Sequence, residues 1–306
     1  MTPWSWGRSS NDREASPDVK SDLPAVLSGL MMGTIYALVA LGLTLIYGVL
    51  HIINFAHGSL LMLALYAVYF LYFYLGVDPY LAIPLVLPAF FALGYVLQRF
   101  LIAPMSSGSE QNVLLITLAV SMIIDNLALY FWTSNTRTAD IAYAYDTVEV
   151  LGAYLPLGRV IAFGAALAVA PLLWCFMAYT RTGSAIRAVA IEKRGAELVG
   201  IDVNHTYAVC FGIGTACVAL AACLLLPTFY ITPQVGYTFV LVAFTTVVLG
   251  GMGSPLGALV AGLLLGVIES MCGLFLGESL GQIGIFLAFI LILLFKPSGL
   301  LGRAKT

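Results

Sequence analysis

The sequence predicts an all-α, polytopic membrane protein: a transmembrane helical bundle of about eight or nine spans. Of its 306 residues, 61% are hydrophobic and only 9% are charged, and the mean hydropathy is +1.01. A soluble domain carries roughly 25% charged residues, so this chain cannot cover a water-exposed surface. Apolar runs long enough to cross a bilayer as helices recur along the whole chain. The lipid bilayer is therefore the first predicted partner.

The predicted spans follow one another between residues 23 and 295. Residues 1–22 are polar and form a predicted N-terminal tail, and residues 23–302 form one transmembrane domain. The spans lie at about 23–50, 55–75, 80–101, 113–132, 160–179, 207–226, 258–276 and 280–295, with a shorter apolar run at 239–250. Two pairs of glycines, each four residues apart, allow another helix to approach closely: Gly29 and Gly33 in the first span, and Gly262 and Gly266 near the end.

Glycines and polar residues interrupt the apolar sequence near 46–60 and near 239–258. A helix broken inside a bilayer frees backbone groups that only protein or a water-filled path can satisfy. A matched pair of broken or re-entrant segments predicts an internal inverted repeat with a binding path between its halves. For the first break, a tight turn with Asn54 capping the next span is the alternative. The expected break residues are Gly48, Gly58, Gly250, Gly251, Gly253 and Pro255.

The distribution of basic residues predicts which loops face the cytoplasm. Segment 180–206 carries four Lys and Arg residues, and the chain after Phe295 carries three. Cytoplasmic loops are enriched in these residues, so both segments are predicted to be cytoplasmic and the acidic loop 133–158 to lie outside. Counting the predicted spans back from these cytoplasmic segments places the N-terminus outside the cell, if both segments that meet at the 51–58 break cross the membrane fully.

A polar stripe runs along the fourth predicted span. Thr117, Ser121 and Asp125 are four residues apart and share one helical face. A carboxylate at membrane depth is costly, so it must face protein or water. The stripe either lines a substrate path or forms a seam of hydrogen bonds between helices. The candidate path residues are Asn54, His57, Ser59, Thr117, Ser121 and Asp125.

Two further polar residues inside apolar runs have structural explanations. Glu269 lies between Ile268 and Ser270, where a structural partner accounts for it better than a substrate does. His57 has the chemistry of a proton sensor, but a hydrogen-bonding role at a helix start accounts for it better.

The motifs that the sequence lacks exclude several functions. There is no G-x-x-x-x-G-K-[ST] phosphate loop and no H-E-x-x-H metal motif. The chain is therefore not expected to hydrolyse ATP, and no catalytic residue or metal ligand is assigned. The five cysteines lie in apolar runs without a C-x-x-C pair. A net charge of −2 without a basic arm argues against nucleic-acid binding.

Segment 181–206 is the most informative stretch outside the spans. Ser184 is placed to cap a helix over 185–199, which would end at Gly200. Such a helix either rests on the membrane surface or docks a cytoplasmic motor subunit. Its small apolar face would expose Ala196, Leu198, Val199 and Ile201.

Four stretches of the chain together resemble the permease subunit of the ABC importers for branched-chain amino acids. They keep their order over residues 25–302, and the family that they resemble includes urea and short-amide permeases. The stretches are 47–59 (YGVLHIINFAHGS), 187–201 (RAVAIE and AELVGI), 248–257 (VLGGMGSPLG) and 296–302 (KPSGLLG).

The resemblance implies a passive, multi-pass subunit of the bacterial inner membrane. It would pair with a second homologous permease, as a hetero- or homodimer, and a periplasmic binding protein would deliver its substrate. Two cytoplasmic ATPase subunits would hold ATP and Mg, and this chain would hold no cofactor. Residues 54–58 would lie near the translocation path. The coupling helix that seats in an ATPase would comprise Ala196, Glu197, Leu198, Val199, Gly200 and Ile201.

The sequence departs from the family pattern at Gly195, which could loosen the coupling helix, and at the polar pair Asp125 and Asn126. Three alternatives stay open. The same architecture could import urea or short amides. A self-sufficient channel or proton-coupled carrier could use Asp125, His57 and Glu269. An intramembrane enzyme is the third, but no matched catalytic set supports it.

Overall fold

The computed structural model describes residues 19–105, 110–150, 152–277 and 280–302, most of which are helical. The helices are α1 (Val19–Leu50), α2 (Ala56–Leu75), α3 (Ile83–Val96), α4 (Ala103–Met105), α5 (Glu110–Trp132), α6 (Leu157–Tyr179), α7 (Arg181–Ile191), α8 (Lys193–Leu198), α9 (Val203–Leu225), α10 (Val235–Gly250), α11 (Pro255–Leu276) and α12 (Gly281–Phe295). A π-helical stretch, Leu97–Ile102, joins α3 to α4. Strands β1 (Thr147–Val150) and β2 (Ala153–Pro156) form an antiparallel hairpin.

The predicted class, a polytopic bundle of transmembrane helices, is confirmed. Within the described residues, seven helices are long and apolar enough to cross a membrane, and the apolar helices α10 and α12 are shorter. The predicted eight to nine spans are therefore an approximate count. The hairpin β1–β2 lies in the loop 133–158, for which the sequence predicted no strand. Of the predicted tail, residues 1–18 lie outside the described residues, and 19–22 belong to α1.

Helix α1 occupies the centre of the bundle. It packs against α6, α9, α10 and α11. Its middle, from Ala37 to Leu41, is at most 1% exposed. A helix that is apolar on every side and buried on every side has no lipid-facing stripe, so the other spans are arranged around α1.

Two predicted glycine pairs face each other across the contact between α1 and α11, which confirms that they allow close packing. A methyl group on Gly33 would come within 2.7 Å of the Gly262 carbonyl oxygen. One on Gly29 would come equally close to the Gly266 carbonyl oxygen. Small residues at such positions let helix backbones touch, which drives association of helices in lipid.

The first break lies at residues 51–55, and the prediction that Gly48 and Gly58 break the helix was wrong. Helix α1 continues to Leu50 and ends where His51 adopts a left-handed φ of 56°. Both glycines are helical and serve close packing instead. Gly48 lies against Gly253, and Gly58 lies against Gly236.

The second break lies where the sequence placed it. Helix α10 ends at Gly250, and Gly251 and Gly253 have left-handed φ values of 99° and 85°. Pro255 is the first residue of α11, after the N-cap Ser254, whose hydroxyl accepts a hydrogen bond from the Gly257 amide. The tail 296–302 covers this turn, since the Leu300 and Leu301 amides donate to the carbonyls of Leu249 and Gly250.

Both breaks, the tail 296–302 and helices α7 and α8 lie at one end of the bundle, which we call the inner face. Gly48 contacts Gly253 there, and Arg99 forms an ion pair with Asp202 at 3.8 Å. The face collects most of the described basic side chains: Arg99, Arg181, Arg187, Lys193, Arg194 and Lys296. The positive-inside rule assigns this face to the cytoplasm.

The opposite end, the outer face, carries the acidic loop 133–158. The Tyr72 hydroxyl donates to the Asp140 carbonyl at 2.6 Å, and Arg137 bridges to Ile231 through backbone hydrogen bonds. Tyr80 stacks on Tyr143 with 5.4 Å between ring centroids. Burial, with a contribution from Asp78, raises the pKa of Tyr80 to about 12.

The internal inverted repeat stays a prediction. Two reciprocal glycine contacts are compatible with it: Gly42 in α1 faces Gly214 in α9, and Gly58 in α2 faces Gly236 in α10. Each pair joins a helix from the first half of the chain to a helix from the second half.

We expect Gly262→Ala to destabilise the fold. The new methyl group would lie 2.7 Å from the backbone of Ala37, and forcing atoms into a packed contact costs about 1–3 kcal/mol. The apparent unfolding temperature of the purified chain in detergent should fall.

The matched control is Gly164→Ala in α6, where no described atom lies within 4 Å of the new methyl group. It should leave the unfolding temperature unchanged or slightly raised. Equal destabilisation by both substitutions would contradict the close α1–α11 contact.

Candidate functional site

Three of the candidate path residues form a hydrogen-bonded seam between α2 and α5. The hydroxyls of Ser59 and Ser121 lie 2.7 Å apart, and Ser121 donates to the Asp125 carboxylate at 3.3 Å. Because the Ser121 hydroxyl proton is used in the bond to Asp125, its oxygen is left to accept from the Ser59 hydroxyl. All three side chains are buried. The seam gives each of the three side chains a hydrogen-bond partner inside the bundle.

The other three candidate residues lie at the start of α2. The Asn54 side-chain oxygen accepts a hydrogen bond from the Ala56 amide at 3.1 Å in the turn before α2, whose N-cap residue is Phe55. The Thr117 hydroxyl accepts a weak one, at 3.4 Å, from the Phe55 amide. The His57 Nε2 lies 3.0 Å from the Val39 carbonyl of α1, so this nitrogen carries the proton.

The structure thus places the six candidates along the contact between α2 and α5, with His57 reaching α1, but none of them lines either of the two cavities described next. The role of these residues in a path stays a prediction. Their observed contacts hold helices together.

A cavity of about 790 Å³ opens at the outer face. Its walls come from the first half of α1, the start of α6, residues 229–239, the second half of α11 and the start of α12. The volume lies in the range of small-molecule sites. The sequence analysis did not single out most of its lining, because residues from five separate segments converge there.

Two charged side chains of the described residues line this outer cavity, and each forms a hydrogen bond with a hydroxyl group. The Tyr36 hydroxyl donates to Glu269 Oε2 at 2.6 Å, joining α1 to α11. The Arg159 Nη1 donates to the Ser28 hydroxyl at 2.9 Å, joining α6 to α1. Glu269 has the structural partner that the sequence analysis expected, and it also faces the cavity.

A second cavity, of about 420 Å³, opens at the inner face between α1, α6, α7 and the turn at Gly253. Arg187 and Ala190 of α7 line it, opposite Thr44 and Gly48 of α1. A shift of α7 would therefore change this cavity directly.

The buried middle of α1 separates the two cavities. Tyr36 lines the outer cavity and Thr44 lines the inner one. The residues between them include Ala37 to Leu41, at most 1% exposed. Seven residues of helix span about 10 Å, so this stretch, which we call the α1 barrier, closes the bundle between its two faces.

The segment 181–206 is two helices, and the prediction of one helix capped by Ser184 was wrong. The Thr180 hydroxyl accepts from the Gly183 amide at 3.0 Å and caps α7. Glu192 adopts an extended conformation, ends α7, and caps α8 through the Arg194 amide at 3.2 Å. Gly200 follows α8 with a left-handed φ of 86°.

The expected coupling residues divide into an anchor and an exposed edge. Ala196 is only 3% exposed, so the prediction that it is presented was wrong: it packs into the core under α8. Leu198 and Val199 are 88% and 76% exposed, and Ile191 is 85% exposed. Ile201 is half-buried. Glu197 and Gly200 are exposed, and helix α8 runs through Gly195 without interruption.

The base of this segment is fixed to two spans. The Asp202 carboxylate caps α9 by accepting from the His205 amide at 2.9 Å. That hydrogen bond, with Arg99 nearby, holds the pKa of Asp202 below its usual value. The ion pair with Arg99 connects the segment to the π-helical end of α3.

Two further kinds of chemistry, metal binding and hydrolysis, can be compared with the positions of the residues. Within the part of the chain that the structure describes, no three His, Cys, Asp or Glu side chains are grouped to hold a metal. The sequence at 277–281, GESLG, has the spacing of a hydrolase nucleophile turn, which the sequence analysis missed. It follows helix α11 and not a strand, so it lacks the context of that motif.

We expect Ser121→Ala to lower stability by about 1 kcal/mol, because hydrogen bonds between membrane helices are worth about 0.6–1.7 kcal/mol. It removes the contacts with both Ser59 and Asp125. The control is Asn126→Ala, since Asn126 is exposed and donates only within its own helix, to the Met122 carbonyl. Unfolding temperatures in detergent would measure both. A variant of normal stability that no longer transports would contradict the seam and favour a path role.

The comparisons with known proteins agree with this architecture. Residues 25–295 match the family model described as the permease component of the branched-chain amino acid transport system. The chain is similar to the high-affinity branched-chain amino acid transport system permease protein BraD of Pseudomonas aeruginosa. The two are 31% identical, over 94% of this chain and 98% of BraD.

It is also 31% identical to the corresponding protein LivH of Salmonella typhimurium, over 92% of this chain and 96% of LivH. A probable LivH of Methanocaldococcus jannaschii is 26% identical over 90% and 92% of the two chains. No solved structure matches the chain. The chain therefore belongs to the family of branched-chain amino acid transport permeases, which confirms the resemblance seen in its four sequence stretches.

Proposed function

We propose that this chain is the transmembrane permease subunit of an ABC importer that moves branched-chain amino acids into the cell. The observation that carries the proposal is the pairing of the family match with an exposed apolar edge on α7 and α8. ATPase subunits docked on this edge would drive transport, and the chain itself would act as a transport subunit and not as an enzyme. The proposed location is the bacterial inner membrane.

The exposed edge consists of Ile191, Leu198 and Val199. Large apolar side chains at such exposure, beside basic residues on the cytoplasmic face, are typical of a protein interaction site. The edge has a rigid base, because Ala196 is buried beneath it and Asp202 fixes its far end. Rigid support would let a movement of the partner pass into the bundle.

The inner cavity supports a route for that movement. Arg187 and Ala190 on α7 form one wall of it, and α1 forms the opposite wall. A partner that displaces α7 and α8 would change the packing around the inner end of α1. Rigid groups of helices would then rock so that the path opens to one side at a time.

The remaining partners follow from the proposed system. A second homologous permease would complete the membrane part, two ATPase subunits would hold ATP and Mg, and a periplasmic protein would deliver the substrate. Leucine, isoleucine and valine are the proposed substrates, because the relatives are named for branched-chain amino acids. Urea or a short amide is the alternative that the test below separates.

We expect Leu198→Arg to abolish both ATPase binding and uptake. Leu198 is 88% exposed, so the substitution places a charge in the docking contact without touching the core. The assay uses vesicles containing the chain with its candidate permease, ATPase and binding-protein partners. Co-purification of the ATPase and ATP-dependent uptake of leucine, with urea in parallel, would be measured.

The matched control is Leu301→Arg, which adds the same charge to an exposed leucine of the inner face. It should leave ATPase binding and uptake near the wild-type level. Uptake by the chain alone, unaffected by Leu198→Arg and lost in Asp125→Asn, would refute the proposal in favour of a self-sufficient carrier. Uptake of urea without leucine would keep the architecture and replace the substrate.

A further inference from the structure

We propose that the outer cavity holds the two charged ends of an amino acid, with Glu269 receiving the ammonium group and Arg159 the carboxylate. The inference rests on the proposed function and deepens it, because it identifies residues within the permease that would contact the substrate. Neither residue belongs to the candidate path that the sequence indicated.

Two opposite charges face the same cavity without pairing to each other. Among the described residues, Glu269 and Arg159 are the two charged side chains that line the cavity. Among the described residues no ion pair joins them, since the single pair within 4.0 Å there is Arg99 with Asp202. Opposite charges that share a cavity without pairing leave room for a ligand that carries both signs.

Both charged groups keep hydrogen-bonding capacity that no described residue uses. Glu269 accepts from Tyr36 through Oε2, and among the described residues its Oε1 has no partner. Arg159 donates to Ser28 through Nη1, which leaves four of its five N–H donors. A guanidinium matches the planar geometry of a carboxylate, and a carboxylate accepts readily from an ammonium group.

Both charges lie on membrane-spanning helices, Glu269 on α11 and Arg159 on α6. Burying an ionisable residue in a membrane-spanning helix costs free energy. Such a residue marks a substrate path unless its only role is to bind a structural partner. Here each charge faces the cavity while a neutral hydroxyl fixes its direction. The hydroxyls orient the charges without neutralising them, which suits a site that must bind a charged group and release it.

The rest of the lining suits an aliphatic side chain. Met32, Val235 and Leu274 contribute apolar surface, and Phe229 meets Phe239 edge to face with 5.5 Å between ring centroids. A ligand with two charged ends and an apolar branch would find partners for all three parts. Urea is neutral and has no apolar branch, so it would leave both charges unpaired.

The test separates the charge of Glu269 from its bond to Tyr36. Glu269→Gln removes the charge but keeps an oxygen that accepts from the Tyr36 hydroxyl. Tyr36→Phe removes that hydrogen bond but keeps the charge. If Glu269 binds the ammonium group, leucine uptake by the complete importer should fall roughly tenfold to a hundredfold in Glu269→Gln, and stay within about threefold of wild type in Tyr36→Phe. A merely structural role predicts similar losses in both variants.

Arg159→Gln should also lose uptake. Its matched control is Arg137→Gln, because Arg137 lies at the same face, outside the cavity, against the rings of Tyr69 and Phe70. Glu149→Gln, on the exposed strand β1, is the control for the acidic position. Co-purification of the ATPase would confirm that each variant assembles. Wild-type uptake in Glu269→Gln and Arg159→Gln would overturn the inference while leaving the proposed function intact.

A second measurement uses the wild-type chain and so does not depend on how the variants fold. Leucine should raise the unfolding temperature of the purified chain, because a ligand that binds only the folded state stabilises it. Leucinamide lacks the carboxylate and 4-methylpentanoate lacks the ammonium group, so both should raise it less. Equal shifts with all three compounds, or no shift with leucine, would overturn the inference. Failure of the wild-type importer to take up leucine would instead overturn the proposed function.

Discussion

The contact between the backbones of α1 and α11 is the constraint on which the rest of the structure depends. Two glycines on each helix remove the side chains that would hold the helices apart. In lipid no hydrophobic effect pulls helices together, so close van der Waals contact has to supply the association. That contact fixes α1 in the centre, brings Tyr36 to Glu269, and sets Gly48 beside Gly253, where the two breaks meet.

From this arrangement follows a bundle that is open at both faces and closed in the middle. The outer cavity lies beside the first half of α1 and the inner cavity beside its end. The α1 barrier, which includes Ala37 to Leu41, separates them. Alternating access would require the helices around this barrier to rearrange, and α7, which forms a wall of the inner cavity, links it to the exposed edge at Leu198.

The sequence alone was sufficient for the class of fold, the glycine contact and the second break. Composition dictates a membrane bundle, and Gly251 and Gly253 with Pro255 can hardly occupy the middle of a helix. The prediction for Gly48 and Gly58 was wrong because the sequence does not distinguish a glycine that ends a helix from a glycine that lets a neighbouring helix pack closely. The same limit applies to Ala196, whose burial depends on helices far away in the chain. The helix break at Glu192 was missed because no glycine or proline marks it.

The outer cavity could not be predicted in the same way, because Ser28, Tyr36, Arg159 and Glu269 come from three helices distant in sequence. Single residues such as Glu269 carried a signal, since an acid in an apolar run demands a partner. The sequence did not identify Tyr36 as the partner of Glu269. It also did not show that Arg159 would face the same cavity. The polar stripe of α5 shows the reverse: a strong pattern whose observed contacts form a seam between helices.

The central claim is that α1 separates two cavities that open on opposite sides of the membrane. It is tested most directly by labelling single cysteines with a membrane-impermeant maleimide, after Cys175 and Cys272, the two cysteines that are not buried, are replaced by serine. Met32→Cys lines the outer cavity and Met177→Cys the inner one. In right-side-out vesicles without ATP, the account predicts labelling of Met32→Cys alone, and in inside-out vesicles labelling of Met177→Cys alone. Labelling of both positions from one side, or of either from both sides, would contradict it.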